Sequence, residues 1–159
     1  MSKITPCLWF DGDAETAAAF YVSLLPDSRI DRLFRSPTDW PSGRAGDVLT
    51  VEFTLAGQRY VALNAGADFK FNPAVSFQIN CDDQVEVDRV WQALLTNGGT
   101  PMACSWITDR WGLAWQIVPR RLTELMQDPD PVRAQRAMTA MMGMVKSDIA
   151  ELERAVAGP

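Results

Sequence analysis

The fold of this chain is decided by residues 75–98, VSFQINCDDQVEVDRVWQALLTNG. Val75, Phe77 and Ile79 alternate with polar residues, which predicts a strand with one apolar face. Asp82-Asp83 follows as a helix start, and apolar residues then recur at helical spacing as far as Leu95. Asn97-Gly98 ends this helix at about residue 96. The segment therefore predicts a strand, an acidic turn and an amphipathic helix.

The same pattern occurs 70 residues earlier in the chain. Asp13 corresponds to Asp83, and Leu24-Leu25 corresponds to Leu94-Leu95. Each half has the order strand, acidic turn, helix, strand, hairpin, which indicates a duplicated unit. The expected elements of the first half are a strand at 3–10, a helix at 14–25 capped by Asp13, a strand at 29–35 and a hairpin of 48–55 with 59–64. Those of the second half end with strands at 101–107 and 113–118.

The segment after Pro119 is expected to be helical. It contains a helix at 121–126, a helix starting at Pro131 behind an Asp130 cap, and a last helix from Asp148 to about residue 156, capped by Ser147. A methionine-rich stretch in the second of these helices favours a packed face over a plastic binding surface. The expected architecture is a single α+β domain over 1–159, with modules at about 1–70 and 74–119 and a helical extension at 120–156.

The composition restricts the chemistry of the protein. Among 159 residues there is no histidine, and the net charge is −5. The absence of histidine excludes histidine-based triads and metal sites, and the acidic balance without a basic run argues against nucleic-acid binding. No targeting segment or membrane span is expected. The three cysteines are odd in number and scattered along the chain. This indicates free thiols in a reducing compartment, and we therefore expect a soluble, cytoplasmic protein.

Several stretches of the sequence resemble a known family. They are Ile4–Gly12 with Ala14-Glu15 and Phe20-Tyr21, Val51–Phe53, Phe69–Asn72, Val75–Gln78, Asp109–Gly112, Trp115–Pro119 and Asp128–Pro131. In order and spacing they are similar to PhnB-like proteins of the vicinal oxygen chelate superfamily, which includes glyoxalase I, extradiol dioxygenases and antibiotic-resistance binders. The resemblance implies two tandem βαβββ modules around a concave sheet, and commonly a homodimer. Many members carry the label 3-demethylubiquinone-9 3-methyltransferase.

The resemblance also implies where metal ligands would lie. The two histidines and two glutamates of the metal enzymes fall on about Thr5, Ala74, Ala62 or Asn64, and Gln116 of this sequence. None of these is a strong ligand for a divalent ion, which prefers carboxylate or imidazole groups. We therefore expect no metal and no cofactor.

Strand alternation predicts which side chains face the cavity that the resemblance implies. The predicted substrate-binding residues are Cys7, Trp9, Glu52, Asn64, Gln78, Trp106 and Gln116. Val61 and Leu63 are assigned to the helix side, as are Trp115 and Ile117, and Phe69 and Phe71 are candidates to close over the opening.

Each of these assignments has a structural alternative. Glu52 is the best candidate for a buried acid, and the favoured alternative is that it forms an ion pair with an arginine such as Arg59. Gln78 and Gln116 are alternatively amides that bond to each other or to backbone. Cys7 and Cys104 lack an activating base and serve better as apolar filling than as nucleophiles. Residues 109–112 form a tight turn in preference to a catalytic loop.

Three functions are compatible with these residues. The first is a metal-independent protein that binds a small molecule between apolar walls and converging amides, as a homodimer. The second is an enzyme: a lyase or dioxygenase of the superfamily, or the methyltransferase of the family label. The methyltransferase lacks support from the residues, because no glycine-rich turn from a strand into a helix is present for a nucleoside cofactor. The third is a structural or regulatory dimer whose cavity has no ligand.

Overall fold

The first unit of the chain is one helix on one four-stranded sheet. The computed structural model describes residues 2–159, so Met1 lies outside it, and the chain forms two compact units, Met1–Lys70 and Phe71–Pro159. The elements of the first unit are β1 (Cys7–Phe10), α1 (Ala14–Val22), β2 (Arg29–Arg35), β3 (Val48–Leu55) and β4 (Gln58–Asn64). Sheet 1 has the strand order β1-β4-β3-β2, with β1 parallel to β4 and the other pairs antiparallel.

The core of this unit lies between α1 and one face of sheet 1. Tyr21 of α1 is fully buried, and its ring centroid is 6.2 Å from that of Phe53 on β3. The β3–β4 hairpin turns at Ala56 and Gly57, both with positive φ (47° and 79°). This backbone is that of a two-residue turn whose twist matches the twist of the flanking strands. The expected hairpin is therefore present, with its second strand beginning at residue 58.

Strand β2 forms one edge of sheet 1. All seven of its residues are exposed, including Ile30, Leu33 and Phe34. Its pairing with β3 shifts register twice, between Ile30 and Arg32 and between Phe34 and Arg35. The edge is therefore irregular and carries an arginine at each end and one in its middle.

The second unit repeats this arrangement and adds three helices. Its elements are β5 (Ser76–Cys81), α2 (Gln84–Thr96), β6 (Thr100–Pro101), β7 (Trp106–Thr108), β8 (Ala114–Pro119), α3 (Arg120–Met126), α4 (Pro131–Met142) and α5 (Ile149–Ala157). Sheet 2 has the order β5-β8-β7-β6, with β5 parallel to β8. The two sheets therefore share strand order and direction, as the duplicated pattern predicted, and the mixed α+β class with C-terminal helices is confirmed.

Two predicted helix caps are wrong. The Asp13 side chain makes no capping hydrogen bond to α1, whereas Asp83 accepts a hydrogen bond from the Glu86 N–H, at 2.8 Å, as predicted for α2. The last helix is capped by Asp148, which accepts from the Glu151 N–H. The Ser147 hydroxyl is buried and has no hydrogen-bond partner among residues 2–159. Asp148, one position after Ser147, is the residue whose side chain reaches the free Glu151 N–H group.

The predicted strand at 101–107 is interrupted. It consists of β6 and β7, separated by a turn in which Cys104 and Ser105 have φ of 60° and 64°. Left-handed backbone is uncommon for residues with a side chain. Neither residue is glycine, and the prediction from alternation extended the strand through the turn.

The C-terminal helices share a small core of their own. Among the methionines, Met144 is buried in this cluster and Met141 packs against it, whereas Met138 and Met142 are exposed. The packed face expected for the methionine-rich stretch is thus formed by only part of it. No helix within residues 2–159 has both the length and the apolar character required to cross a bilayer. The buried members of the cluster are Leu122, Leu125, Ala137, Met144, Leu152 and Val156.

Two ion pairs of the helical extension should make its stability sensitive to acid. Arg121 bonds to the Glu153 carboxylate and holds its pKa below the ordinary 4.5. Arg133 bonds to Asp128 at 2.9 Å and holds the pKa of that carboxyl below the ordinary 3.8. A lowered folded-state pKa adds stability above the unfolded-state pKa, and this stability is lost as pH falls through the folded-state pKa. We expect stability to change little between pH 7 and 6 and to fall below about pH 4.5.

Urea denaturation at a series of pH values between 7 and 3 measures this dependence. The Glu153→Gln, Asp128→Asn double variant removes both titrating groups, so its stability should fall less steeply in acid than that of the wild type. The same acid dependence in both proteins would show that these pairs do not carry the effect.

Candidate functional site

Sheet 2 has one apolar face and one polar face. Trp115, Ile117 and Ile79 are buried on the side of α2. The alternate residues point the other way, and pairing places Gln78 beside Gln116, and Gln116 beside Trp106. Adjacent partners in register lie on the same side of a sheet, about 5 Å apart. Three predicted binding residues therefore form one row across β5, β8 and β7, and the face assignment for these strands is confirmed.

The row on sheet 2 retains unused hydrogen-bonding groups. Gln116 donates from Nε2 to the Ser76 hydroxyl at 2.9 Å, and Gln78 donates from Nε2 to Asn80 Oδ1 at 2.8 Å. Among residues 2–159, nothing donates to Gln116 Oε1 and nothing accepts from the Trp106 indole N–H. The two glutamines bond to neighbouring side chains, so the alternative that they bond to each other or to backbone is wrong. We call Ser76, Gln78, Trp106 and Gln116 the polar row.

Sheet 1 presents three other predicted residues on the face opposite α1. Cys7 and Trp9 lie on β1, and Glu52 lies on β3 in the same cross-strand row as Cys7. The Glu52 side chain is 25% exposed and forms ion pairs with Arg32, at 2.5 Å, and Arg59, at 3.6 Å. The alternative of pairing with Arg59 is confirmed, so Glu52 is not a buried, unpaired acid. Arg32 was not predicted, because the register of β2 with β3 determines its position.

Trp9 is fixed by two contacts within the first unit. Its indole N–H donates to the Gly66 carbonyl at 2.7 Å, and its ring meets Phe69 edge-on with centroids 4.9 Å apart. Phe69 itself is 66% exposed. Trp9 therefore offers an apolar ring surface but no free donor.

The thiols of Cys7 and Cys81 are poor nucleophiles. Partial burial raises the pKa of Cys7, and burial raises the pKa of Cys81 to about 12. A raised pKa keeps the thiol protonated near neutral pH, whereas a nucleophile or metal ligand must be a thiolate.

The position of Asn64 corrects the prediction for β4. Asn64 pairs in register with Phe10, and Ala62 pairs with Leu8, so both lie on the α1 side of sheet 1. Asn64 is 8% exposed. Its Oδ1 accepts from the Ala14 N–H, at 2.9 Å, and its Nδ2 donates to the Val48 carbonyl, at 2.9 Å. It thus caps α1 in place of Asp13, and both ends of its amide are used.

The outward residues of β4 are accordingly the opposite of those expected. Val61 and Leu63 pair with Cys7 and Trp9, on the face away from α1. They were assigned to the helix side because they are apolar. Side chains alternate between the two faces of a strand, so an error of one residue in the alternation assigns every side chain to the wrong face.

The positions implied for metal ligands do not suit a metal ion. Ala62 and Asn64 face α1, and Gln116 offers a single neutral oxygen. Within residues 2–159, no three Cys, Asp or Glu side chains are grouped so that they could hold an ion. Divalent ions require several oxygen, nitrogen or sulfur donors with charge compensation, and this donor set does not provide them.

The turn at 109–112 is a structural element. Asp109 is 4% exposed, and its carboxylate accepts from the N–H groups of Trp111 and Leu113 and from the Trp115 indole, at 2.9, 3.1 and 3.0 Å. The expected tight turn is confirmed, and the acid at its start organises the entry to β8. The carboxylate is occupied by these donors.

Comparisons with known proteins identify the family. Residues 2–118 match the family model described as 3-demethylubiquinone-9 3-methyltransferase. The chain is similar to the solved PhnB protein from Bacillus cereus, with 32% identity over 74% of this chain and 99% of that chain and a TM-score of 0.66. Protein PA1353 from Pseudomonas aeruginosa shares the fold, with 20% identity over 75% and 98% of the two chains and a TM-score of 0.59. A search of curated proteins gave no match.

The family match spans both βαβββ modules and confirms the resemblance seen in the sequence. The chain belongs to the 3-demethylubiquinone-9 3-methyltransferase family of PhnB-like proteins, in the vicinal oxygen chelate superfamily.

Proposed function

We propose that this protein binds a small molecule without a metal ion, as a cytoplasmic homodimer, and that the polar row of sheet 2 is its main contact surface. The observation that carries the proposal is that an unused hydrogen-bond acceptor and an unused hydrogen-bond donor lie side by side. Gln116 Oε1 and the Trp106 N–H lie on neighbouring strands of the same row, and neither has a partner among residues 2–159. Small-molecule sites characteristically combine apolar surface with a few polar groups that fix orientation.

The polar row also defines the chemistry of the ligand. An amide oxygen and an indole N–H select a group that both donates and accepts hydrogen bonds, and the flat Trp106 ring favours an aromatic or planar ligand. Neither group carries a charge, so the ligand need not be charged where it meets the row. On sheet 1, Cys7, Trp9 and Glu52 stay predicted binding residues, whereas Asn64 is not proposed as one, because its amide is committed to α1 and β3.

The Gln116→Leu variant tests the proposal. A panel of planar small molecules is screened for those that raise the melting temperature of the wild type, since a ligand that binds only the folded state stabilises it by mass action. We expect one chemical class to raise it and Gln116→Leu to abolish that rise, because an apolar side chain cannot donate to the ligand or accept from it.

The matched control is Gln92→Leu. Gln92 is exposed on α2 and bonds to Thr96, so its replacement removes an amide away from the polar row. Ligand stabilisation should be unchanged in Gln92→Leu. An equal loss in both variants, or a ligand that binds Gln116→Leu as tightly as the wild type, would contradict the assignment of the polar row.

The family description names a methyltransferase, which gives the same experiment a second possible outcome. S-adenosylmethionine and divalent metal salts therefore belong in the panel. Saturable binding of S-adenosylmethionine would contradict the proposed function and favour an enzyme. The same holds if the purified protein contains stoichiometric metal and a chelator that removes the metal abolishes an activity.

A further inference from the structure

The turn between β6 and β7 has a backbone that requires support. Cys104 and Ser105 both have left-handed φ angles, although neither is glycine. Residues with side chains adopt this conformation at a cost, and two in succession persist only where the surroundings fix them. The next residue in the chain is Trp106, a member of the polar row.

The segment Met144–Ser147, which we call the clamp, supplies this support. The Cys104 N–H donates to the Met144 carbonyl at 2.8 Å, and the Ser105 N–H donates to the Val145 carbonyl at 2.7 Å. The Ser147 N–H donates back to the Ser105 hydroxyl at 3.0 Å. Ser105 is fully buried, and its own carbonyl accepts from the Ile117 N–H on β8 at 2.9 Å. The backbone N–H and the hydroxyl oxygen of Ser105 are thus both bonded to the clamp.

The clamp is also attached to α2. The Gln84 amide donates to the Ser147 carbonyl at 3.0 Å and accepts from the Ile149 N–H at 2.8 Å. Lys146 forms an ion pair with Asp88, also on α2, at 2.5 Å. The clamp therefore connects the first turns of α2 and α5 to the β6–β7 turn, and it does so mainly through backbone groups.

The clamp lies beyond the part of the chain that matches the family. The family match ends at residue 118, and 74% of this chain accounts for 99% of the Bacillus cereus PhnB protein. The support of the β6–β7 turn therefore comes from a segment outside the family match.

We propose that the C-terminal helices act as a positioning element for the polar row: the clamp holds Ser105 in its left-handed conformation and thereby fixes Trp106 on its face of sheet 2. The clamp and the row are then coupled, so that release of the clamp displaces Trp106 and occupation of the row tightens the clamp. The effect on ligand affinity rests on the proposed function. The effect on Trp106 does not, and it can be tested without a ligand.

Fluorine NMR of protein labelled with 5-fluorotryptophan tests this coupling. The chain has six tryptophans, and the Trp106 resonance is assigned as the one lost in Trp106→Phe. Ser105→Ala removes the hydroxyl that the Ser147 N–H requires and retains a side chain where left-handed backbone is costly. We expect its Trp106 resonance to shift or broaden, while those of Trp9 and Trp40 in the first unit stay unchanged. Ser105→Gly, which adopts positive φ without cost, should shift it less.

Gln84→Leu keeps the experiment decisive if Ser105→Ala does not fold. This variant removes both hydrogen bonds between Gln84 and the clamp, without altering the turn and with the Lys146–Asp88 ion pair left in place. Amide exchange at Cys104 and Ser105 should become about tenfold faster. Ser23→Ala is the matched control, because it removes an exposed hydroxyl at the end of α1. A folded Ser105→Ala or Gln84→Leu variant with an unchanged Trp106 resonance overturns the proposal. If Trp106 shifts but the ligand panel gives no binder, only the proposed function fails.

Discussion

Replacing Asp109 with alanine is expected to lower the free energy of unfolding by about 3–5 kcal/mol. The Asp109 carboxylate is buried and accepts hydrogen bonds from two backbone N–H groups and from the Trp115 indole. Without it, these three donors lose their partner in a place with little access to water. Each unsatisfied buried donor costs about 1–3 kcal/mol, and hydrogen bonds to a charged acceptor lie at the upper end of the range.

Urea denaturation of Asp109→Ala and Asp109→Asn measures this loss. The asparagine variant keeps one oxygen acceptor and should therefore be destabilised less than the alanine variant. Asp82→Ala is the control, because that carboxylate is exposed and its ion pair with Arg120 contributes at most about 1 kcal/mol. A loss in Asp109→Ala no larger than that in Asp82→Ala would show that the turn does not depend on the carboxylate.

Asn64→Leu is expected to lower the free energy of unfolding by about 2–4 kcal/mol. The substitution removes the acceptor for the Ala14 N–H at the start of α1 and the donor to the Val48 carbonyl. Loss of a helix cap alone costs about 1 kcal/mol, and an unpaired buried carbonyl adds a similar or larger amount. Leucine has the same branching and the same number of heavy side-chain atoms as asparagine, so most of the effect should come from hydrogen bonding.

Asn80→Leu provides the comparison for Asn64→Leu. Asn80 is exposed on β5, and within residues 2–159 its side chain accepts only from Gln78, so its replacement should change stability by about 0.5 kcal/mol or less. Equal stability of Asn64→Leu and the wild type would contradict the capping role and return Asn64 to the set of binding residues. Melting and urea transitions followed by circular dichroism distinguish these outcomes.

The sequence predicted β5 and β8 of sheet 2 well because these two strands carry an unambiguous pattern. Phe77 and Ile79 on β5 alternate with Ser76 and Gln78, and β8 repeats the alternation in register. Asp83 was predicted correctly as a cap because the helix after it starts where its side chain reaches the Glu86 N–H. In these segments local pattern and tertiary packing agree.

The prediction failed on β4 because local pattern and packing disagree there. Val61 and Leu63 are apolar but lie away from α1, while the polar Asn64 lies toward it. The parallel pairing with β1 sets this orientation, and nothing within β4 itself reports it. The turn at Cys104 and Ser105 was missed for a related reason, since its support comes from residues about 40 positions later in the chain.

The irregular edge at β2 has a consequence for the behaviour of the protein at high concentration. An exposed edge strand with free backbone groups is a template for joining a second sheet, which leads to aggregation. In β2, two register shifts disturb the flat ladder that such joining needs, and Arg29, Arg32 and Arg35 would bring like charges together. We therefore expect β2 to be a poor edge for joining two copies of the chain, despite its exposed apolar side chains.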